Sequence, residues 1–367
     1  MPLGLRRLQR RAELVARLME TWVRRPSTPN RLVLDVTRRC NLRCAMCKTW
    51  EAPAGHELTP DELGALMDQL PGLTWLDVTG GEVFLRRDAH ALLTTIAARA
   101  RALKILHYPT NGWFTRRVVD TTTALRDQYG ERLDLIITVS VDGPPDVHDR
   151  IRGQRGAFER ALATFEALRA LDGVDVYLGT TITPFNADAV DALGELLRAR
   201  VPGFQDREWH WNWLQVSGHF FNNAALASEA RVRPRQLVRE HVRRRGPPTG
   251  LVDMMELLFL VNLEFYQRGE PSGVTCQSLR STAFISPEGD LYPCHVYDRP
   301  LGNIRERPIA ELWHSREVLD ARADIERLAC GGCFTPCEAY PALAGAPRQT
   351  LAATARRALK LVVEASS

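Results

Sequence analysis

The chain has 367 residues and is 45% hydrophobic, enough for one large or two modest domains with a sizeable core. Its formal charge of +4 is uneven, because residues 1–31 hold eight Arg against two Glu while the remainder is slightly acidic. No apolar run reaches the roughly 18 residues of a membrane span, the Arg-rich start is unlike a secretory signal, and the near-neutral body is unlike a nucleic-acid-binding domain; a cytoplasmic location is expected and nucleic acid is not an expected partner.

Residues 3–25 place Leu8, Ala12, Val15, Met19 and Trp22 at helical spacing among arginines, which predicts a basic amphipathic helix, and "RRPSTPN" breaks it into a linker that completes segment 1–31. Six β-like runs follow from Leu32: "LVLDV", "TWLDVT", "KILHYP", "LDLIITVSV", "VDVYLGTTIT" and "WHWNWLQV". Helical patterns separate most of them, and Thr59, Pro60 and Glu62 read as the N-cap, first-turn proline and capping-box acid of the first helix. Six such units predict an α/β fold, a partial (β/α)6 barrel over 32–223 whose loops converge at one end.

After Asn223 a helical connection is expected over 224–275, with "GLVDMMELLFLVNLEFYQRG" as a buried helix. "TAFISPEGDLYPC" reads as a hairpin within a small domain at 276–340, and "PRQTLAATARRALKLVV" as a second basic amphipathic helix within 341–367.

The 8 Cys fall into two groups. Close spacing in a cytosolic chain favours metal ligation over disulfides. Cys40, Cys44 and Cys47 lack a local fourth ligand for structural zinc; three thiolates suit a four-iron cluster with one iron left open. The spacing C-x3-C-x2-C after "LVLDV" resembles the signature of the radical S-adenosylmethionine (radical SAM) superfamily, and later loops match in order: "TGGE" at 79–82, "TNG" at 110–112, "SVDG" at 140–143 and "HDRIRG" at 148–153. The resemblance implies a [4Fe-4S] cluster on the three cysteines that binds S-adenosylmethionine and cleaves it to a 5′-deoxyadenosyl radical.

It also implies cofactor contacts from Met46, Gly80, Gly81, Glu82, Thr110, Asn111, Ser140, Asp142, Arg152 and Asn186. Glu82 would accept from the methionine ammonium, Ser140 and Asp142 would lie near ribose or carboxylate, and Arg152 near the carboxylate. Met46 stands where an aromatic is common, a change that backbone contacts to adenine tolerate. A structural alternative has Ser140 and Asp142 capping a strand exit and Asp149 pairing with Arg152; His148 reads as a supporting group.

Cys276, Gly289 and Cys294 form a C-x12-G-x4-C pattern, and "CGGCFTPC" adds Cys330, Cys333 and Cys337. This resembles the auxiliary-cluster domains called SPASM and twitch. Five thiols suffice for one auxiliary [4Fe-4S] cluster, with Cys276 and Cys294 the surest ligands. Cys330 and Cys333 follow by analogy, and Cys337 is either a competing ligand or a hydrogen donor to a substrate radical. A four-cysteine zinc knuckle is the alternative. The expected function is radical chemistry on a sizeable peptide or natural-product intermediate, with a reductant such as flavodoxin or ferredoxin. A membrane lipid or isoprenoid substrate, with peripheral contact at the inner membrane face, is a second reading; a non-catalytic iron–sulfur carrier or sensor is a third, against which "TGGE" and "SVDG" speak.

Overall fold

The computed structural model describes residues 3–53, 55–228, 237–270, 273–328 and 332–365; Cys330 lies outside them. The six expected strands form: β1 (Arg31–Asp35), β2 (Trp75–Thr79), β3 (Ile105–Thr110), β4 (Asp134–Ser140), β5 (Val174–Ile182) and β6 (Trp209–Trp213). All are parallel to their neighbours, as helical crossovers require. The crossover helices are α2 (Pro60–Asp68), α3 (Ala89–Arg99), α4 (Thr115–Tyr129), α5 (Pro145–Arg152), α6 (Ala157–Arg169) and α7 (Val190–Arg200), following the N-terminal α1 (Leu3–Val23). At the start of α2 the capping box is complete: Thr59 accepts from the Glu62 backbone N–H, and the Glu62 carboxylate accepts from the Thr59 backbone N–H at 2.8 Å. The core between sheet and helices is built from Leu, Ile, Val and Phe of both layers, including Leu32, Leu76, Leu106, Phe158 and Phe165.

The sheet extends further than the sequence suggested. The hairpin of β7 (Thr282–Ile285) and β8 (Leu291–Tyr292) forms as expected, but β7 also pairs in parallel with β1, so the sheet has eight strands in the order β6-β5-β4-β3-β2-β1-β7-β8. The cysteine-bearing C-terminal region is therefore seated on the barrel edge, and Arg38 clamps Glu288 in the hairpin turn through two bonds of 3.0 and 2.9 Å.

The remaining helices are α8 (Leu237–Arg245), α9 (Leu251–Gln267), α10 (Ile309–Trp313), α11 (Arg316–Glu326), α12 (Pro336–Gly345) and α13 (Pro347–Ala365). Helix α9 buries Phe259, Leu260, Leu263 and Phe265 while Met254 is exposed. Helix α1 sits across the N-terminal ends of the strands. Leu14 packs with Trp75, Ile105 and Ile136, while Arg10 and Arg11 pair with Asp134 at 2.6 and 2.9 Å and Arg11 also pairs with Asp175 at 2.5 Å. Leu14 and two of the arginines thus face the barrel, whereas Met19 of the expected apolar stripe is exposed. Among the described residues no helix is long and apolar enough to cross a membrane.

Candidate active site

The loop after β1 carries Cys40, Cys44 and Cys47, and three other loops hold it by backbone contact. The β2 exit supplies the first: Gly81 N–H donates to Thr37 O at 2.6 Å and Glu82 N–H to Arg39 O at 2.9 Å. This explains the two glycines. Gly80 has φ +156°, and a Cβ on Gly81 would lie 2.3 Å from Arg39 O, so the pair permits loop-on-loop packing. The end of α5 supplies the second contact, with Arg43 and Ala45 N–H donating to Arg152 and Ile151 carbonyls at 3.0 and 2.8 Å. Behind β6 lies the third: Lys48 N–H donates to Phe221 O at 2.8 Å, and Asn223 donates to Met46 O at 2.8 Å.

The three thiols, Met46, Gly80, Gly81, Glu82, Thr110, Asn111, Ser140 and Arg152 all line one cavity of about 430 Å³. Glu82 is 2% exposed and accepts from Phe84 N–H (3.2 Å), Thr110 Oγ1 (3.0 Å) and Asn111 N–H (2.7 Å). A carboxylate has about four acceptor positions, so one remains for a ligand N–H. Burial pushes the Glu82 pKa up against these bonds, and a cationic ligand would relieve that cost. Asn111 spans the Asn41 side chain at 3.0 Å and the Cys40 sulfur at 4.0 Å.

Asp142 and Asn186 stand behind this wall. Asp142 pairs with Arg152 at 2.6 Å and accepts from Thr181 N–H at 3.0 Å. Asn186 donates to the Asp142 and Thr181 carbonyls and accepts from Thr183, tying the exits of β4 and β5 together. Arg152 therefore pairs with Asp142 and not Asp149, whose carboxylate accepts from Gly156 and Phe158 N–H at 2.5 and 2.9 Å. Burial opposes the Arg152 charge, but Asp142 and Cys44 outweigh it and raise its pKa; Nη1 lies 3.9 Å from Cys44 Sγ. His148 accepts from Asp142 N–H at 3.0 Å, and burial drives its pKa down to about 2.

Three thiols, Cys44 buried and Cys40 and Cys47 half-buried, beside cationic and amide donors fit an iron–sulfur cluster, whose sulfur ligands are tuned by such hydrogen bonds. Burial pushes Cys40 up to about 11 and Cys47 to about 12, so ligation as thiolate displaces a proton at neutral pH. Among the described residues no three His, Cys, Asp or Glu side chains converge on a point suited to a single ion. A cluster makes no such demand, because each thiolate binds a different iron.

The C-terminal cysteines separate. Cys276, Cys294 and Cys333 line a second cavity of about 370 Å³ with Ser278 and Glu338, whereas Cys337 lines the first. Ser278 and Tyr297 N–H approach the Cys276 and Cys294 sulfurs at 3.4 and 3.3 Å. Thr335 caps α12, which begins between the two environments.

Sequence reading missed the inner wall of the first cavity. Inward positions alternate along each strand, bringing Arg31, Asp77, His107 and Thr138 together. Asp77 is ion-paired with Arg31 and bonded to His107 Nδ1 at 2.8 Å; His107 Nε2 meets Thr138 at 3.0 Å. Tyr177, level with Thr138 on the neighbouring strand, stacks on His210 with ring centroids 4.0 Å apart. Polar residues at every second place in otherwise apolar strands were the available signal.

Residues 34–197 match the Radical SAM superfamily, and residues 276–334 match an iron–sulfur cluster-binding domain, SPASM. The AdoMet-dependent heme synthase of Methanosarcina barkeri is 26% identical over 361 residues, covering 89% of this chain and 94% of its own. The PqqA peptide cyclase of Xanthomonas campestris is 27% identical over 302 residues, covering 79% and 74%. The solved structure of native anSMEcpe with bound AdoMet and Cp18Cys peptide shares the fold, with TM-score 0.53 and 14% identity over 89% of this chain and 99% of that one.

Proposed function

The chain belongs to the radical SAM superfamily and carries a SPASM domain, and from that premise we propose that this enzyme abstracts hydrogen from a peptide or a polar natural-product intermediate in its larger cavity. Its cofactors are S-adenosylmethionine, the [4Fe-4S] cluster that binds it, and auxiliary iron–sulfur chemistry in the SPASM domain. When bound, the first cluster supplies the electron that splits S-adenosylmethionine into methionine and a 5′-deoxyadenosyl radical. Cys40, Cys44 and Cys47 would hold that cluster and leave one iron for the methionine amino and carboxylate groups.

The chain's own residues orient the cofactor. Glu82 offers its remaining acceptor position to the ammonium, and Arg152, fixed by Asp142, faces the carboxylate. Thr110, Asn111 and Ser140 line the same cavity and would border the ribose, while the Met46 backbone would meet adenine. Asn186 acts through Asp142 by holding the β4 exit. In the second cavity Cys276, Cys294 and Cys333, with Cys330, would hold one auxiliary four-iron cluster. A low-potential donor of the flavodoxin or ferredoxin class supplies electrons.

The observation that carries the substrate reading is the Arg31–Asp77–His107–Thr138 cluster in the cavity wall. Asp77, His107 and Thr138 satisfy one another, but Arg31 Nε and Nη1 find no oxygen or nitrogen acceptor in the wall; an isoprenoid or lipid chain would leave them so, at a cost of about 1–3 kcal/mol per unmet polar group, whereas a peptide carbonyl or carboxylate can bond to them. The peptide cyclase and the anSMEcpe–peptide complex support the same class. The test is 5′-deoxyadenosine release by reconstituted protein given S-adenosylmethionine and dithionite, with and without short peptides encoded beside its gene. Release stimulated by a peptide is expected; stimulation by isoprenoids and by no peptide would overturn the substrate reading.

A further inference from the structure

We propose that Cys337 donates a hydrogen atom to the substrate radical, so that the substrate leaves the enzyme at its original oxidation level. The proposal rests on the radical chemistry above and adds the fate of the radical.

Its first support is placement. Cys337 stands four residues from Cys333, yet the two thiols border different cavities. The cause is the start of α12 at Pro336: consecutive helical residues point about 100° apart, so Glu338 faces the second cavity beside Cys294 while Cys337 faces the first. Cys337 is thereby withdrawn from the auxiliary set and turned toward Asp77 and Arg31, both of which act on it electrostatically.

The second support is an unmet need beside it. Arg31 is 1% exposed and lines the same cavity, and Nη2 pairs with Asp77, but Nε and Nη1 meet no oxygen or nitrogen acceptor, the Cys337 thiol being the one further group the guanidinium bonds toward. Buried donors left unbonded are rare and costly, so this guanidinium marks the seat of an oxygen-bearing group from a ligand. The neighbouring Tyr340 is already committed, its hydroxyl donating to Glu256.

Height along the barrel is the third. Along β2 the inward residues Asp77 and Thr79 lie one pleat apart, about 6.6 Å at 3.3 Å per residue. Thr79 opens the loop that bears Glu82, so the thiol near Asp77 lies about one layer beneath the cofactor-binding loops. That interval holds one substrate carbon with about 3–3.5 Å between reacting atoms on each side. Hydrogen leaves one face of the carbon and arrives at the other, so the reaction class is inversion or rearrangement without net oxidation.

The step balances as follows. The Cys337 S–H bond breaks homolytically as a C–H bond forms on the substrate, leaving a thiyl radical. One electron from a low-potential iron–sulfur or flavin donor and one proton from water restore the thiol.

The experiment uses the reconstituted holoenzyme in D2O with S-adenosylmethionine, dithionite and the short peptides encoded beside its gene, and reads deuterium bound to carbon in the recovered peptide by mass spectrometry. Cys337 then carries deuterium and delivers it to the substrate radical. Peptide recovered from the wild type should carry one carbon-bound deuterium in most turned-over molecules, and Cys337→Ser should lower that fraction several-fold, because an alcohol O–H bond is too strong to yield its hydrogen atom. Iron content, read separately, should stay at the wild-type value. Iron loss in Cys337→Ser would make Cys337 a ligand and overturn the proposal, as would an unchanged deuterium fraction with full iron. Cys337→Ala repeats both readings should the serine variant fold poorly. Wild type that releases no 5′-deoxyadenosine would overturn the radical reading itself, and this proposal with it.

Discussion

The two cysteine-bearing cavities are built by opposite strategies. At the barrel mouth all three thiols come from one loop, and backbone bonds from the β2 exit, the end of α5 and the segment after β6 fix its course. In the second cavity the thiols of Cys276, Cys294 and Cys333 come from separate segments, tied to one another by side chains such as Ser278, whose hydroxyl meets Pro293 O at 3.0 Å and the Glu338 carboxylate at 3.2 Å. The first site is a scaffold fixed by backbone bonds, whereas in the second a cluster would staple separate segments, so that ligation would contribute to folding.

The strongest way to break this contrast is to remove a first-site ligand. Cys40→Ala, Cys44→Ala and Cys47→Ala should each abolish S-adenosylmethionine cleavage, measured as 5′-deoxyadenosine, while the visible absorption of the auxiliary cluster remains. Loss of all absorption would show that the sites are interdependent. Gly81→Ala tests the scaffold without touching a ligand. Its Cβ would lie 2.3 Å from Arg39 O, a strain of about 1–3 kcal/mol. First-site iron should fall, and second-site iron should not.

Removing a ligand from the second cavity should act on stability instead. Cys294→Ala is expected to lower the melting temperature of the reconstituted protein by more than Cys40→Ala does, because it unties the hairpin from the segment around Cys333. Equal shifts in thermal denaturation would erase the distinction. The smallest effect is local: Glu82→Ala should weaken S-adenosylmethionine binding about tenfold to a hundredfold, a loss of about 1.5–3 kcal/mol, with first-site iron retained. Calorimetric titration would read it, and unchanged affinity would move the ammonium contact elsewhere.

What the sequence disclosed follows the same division. The strands, the capped start of α2 and the cysteine loop were legible because each depends on neighbouring residues: alternation, Thr59 with Glu62, and close thiol spacing. The pairing of β7 with β1 was not, since it joins segments some 250 residues apart and leaves no local pattern. Gly80 and Gly81 were marked as special, but their partner, the backbone of the cysteine loop, shows only in three dimensions. Asp142 and Asn186 matched motif positions, yet their polar atoms are spent on Arg152 and on the strand exits. Cys333 and Cys337 look like members of one set in the sequence; a helix start between them sends each to a different cavity.

The central claim, two separate iron–sulfur sites of which only the first meets S-adenosylmethionine, has one direct measurement. The reduced holoenzyme is titrated with S-adenosylmethionine and followed by electron paramagnetic resonance, beside a variant lacking Cys40, Cys44 and Cys47. The account predicts about eight iron atoms per wild-type chain, about four in the variant, and a cofactor-dependent spectral change in the wild type alone. A variant that keeps the spectral change, or a wild type with about four iron atoms and stoichiometric zinc, would contradict it.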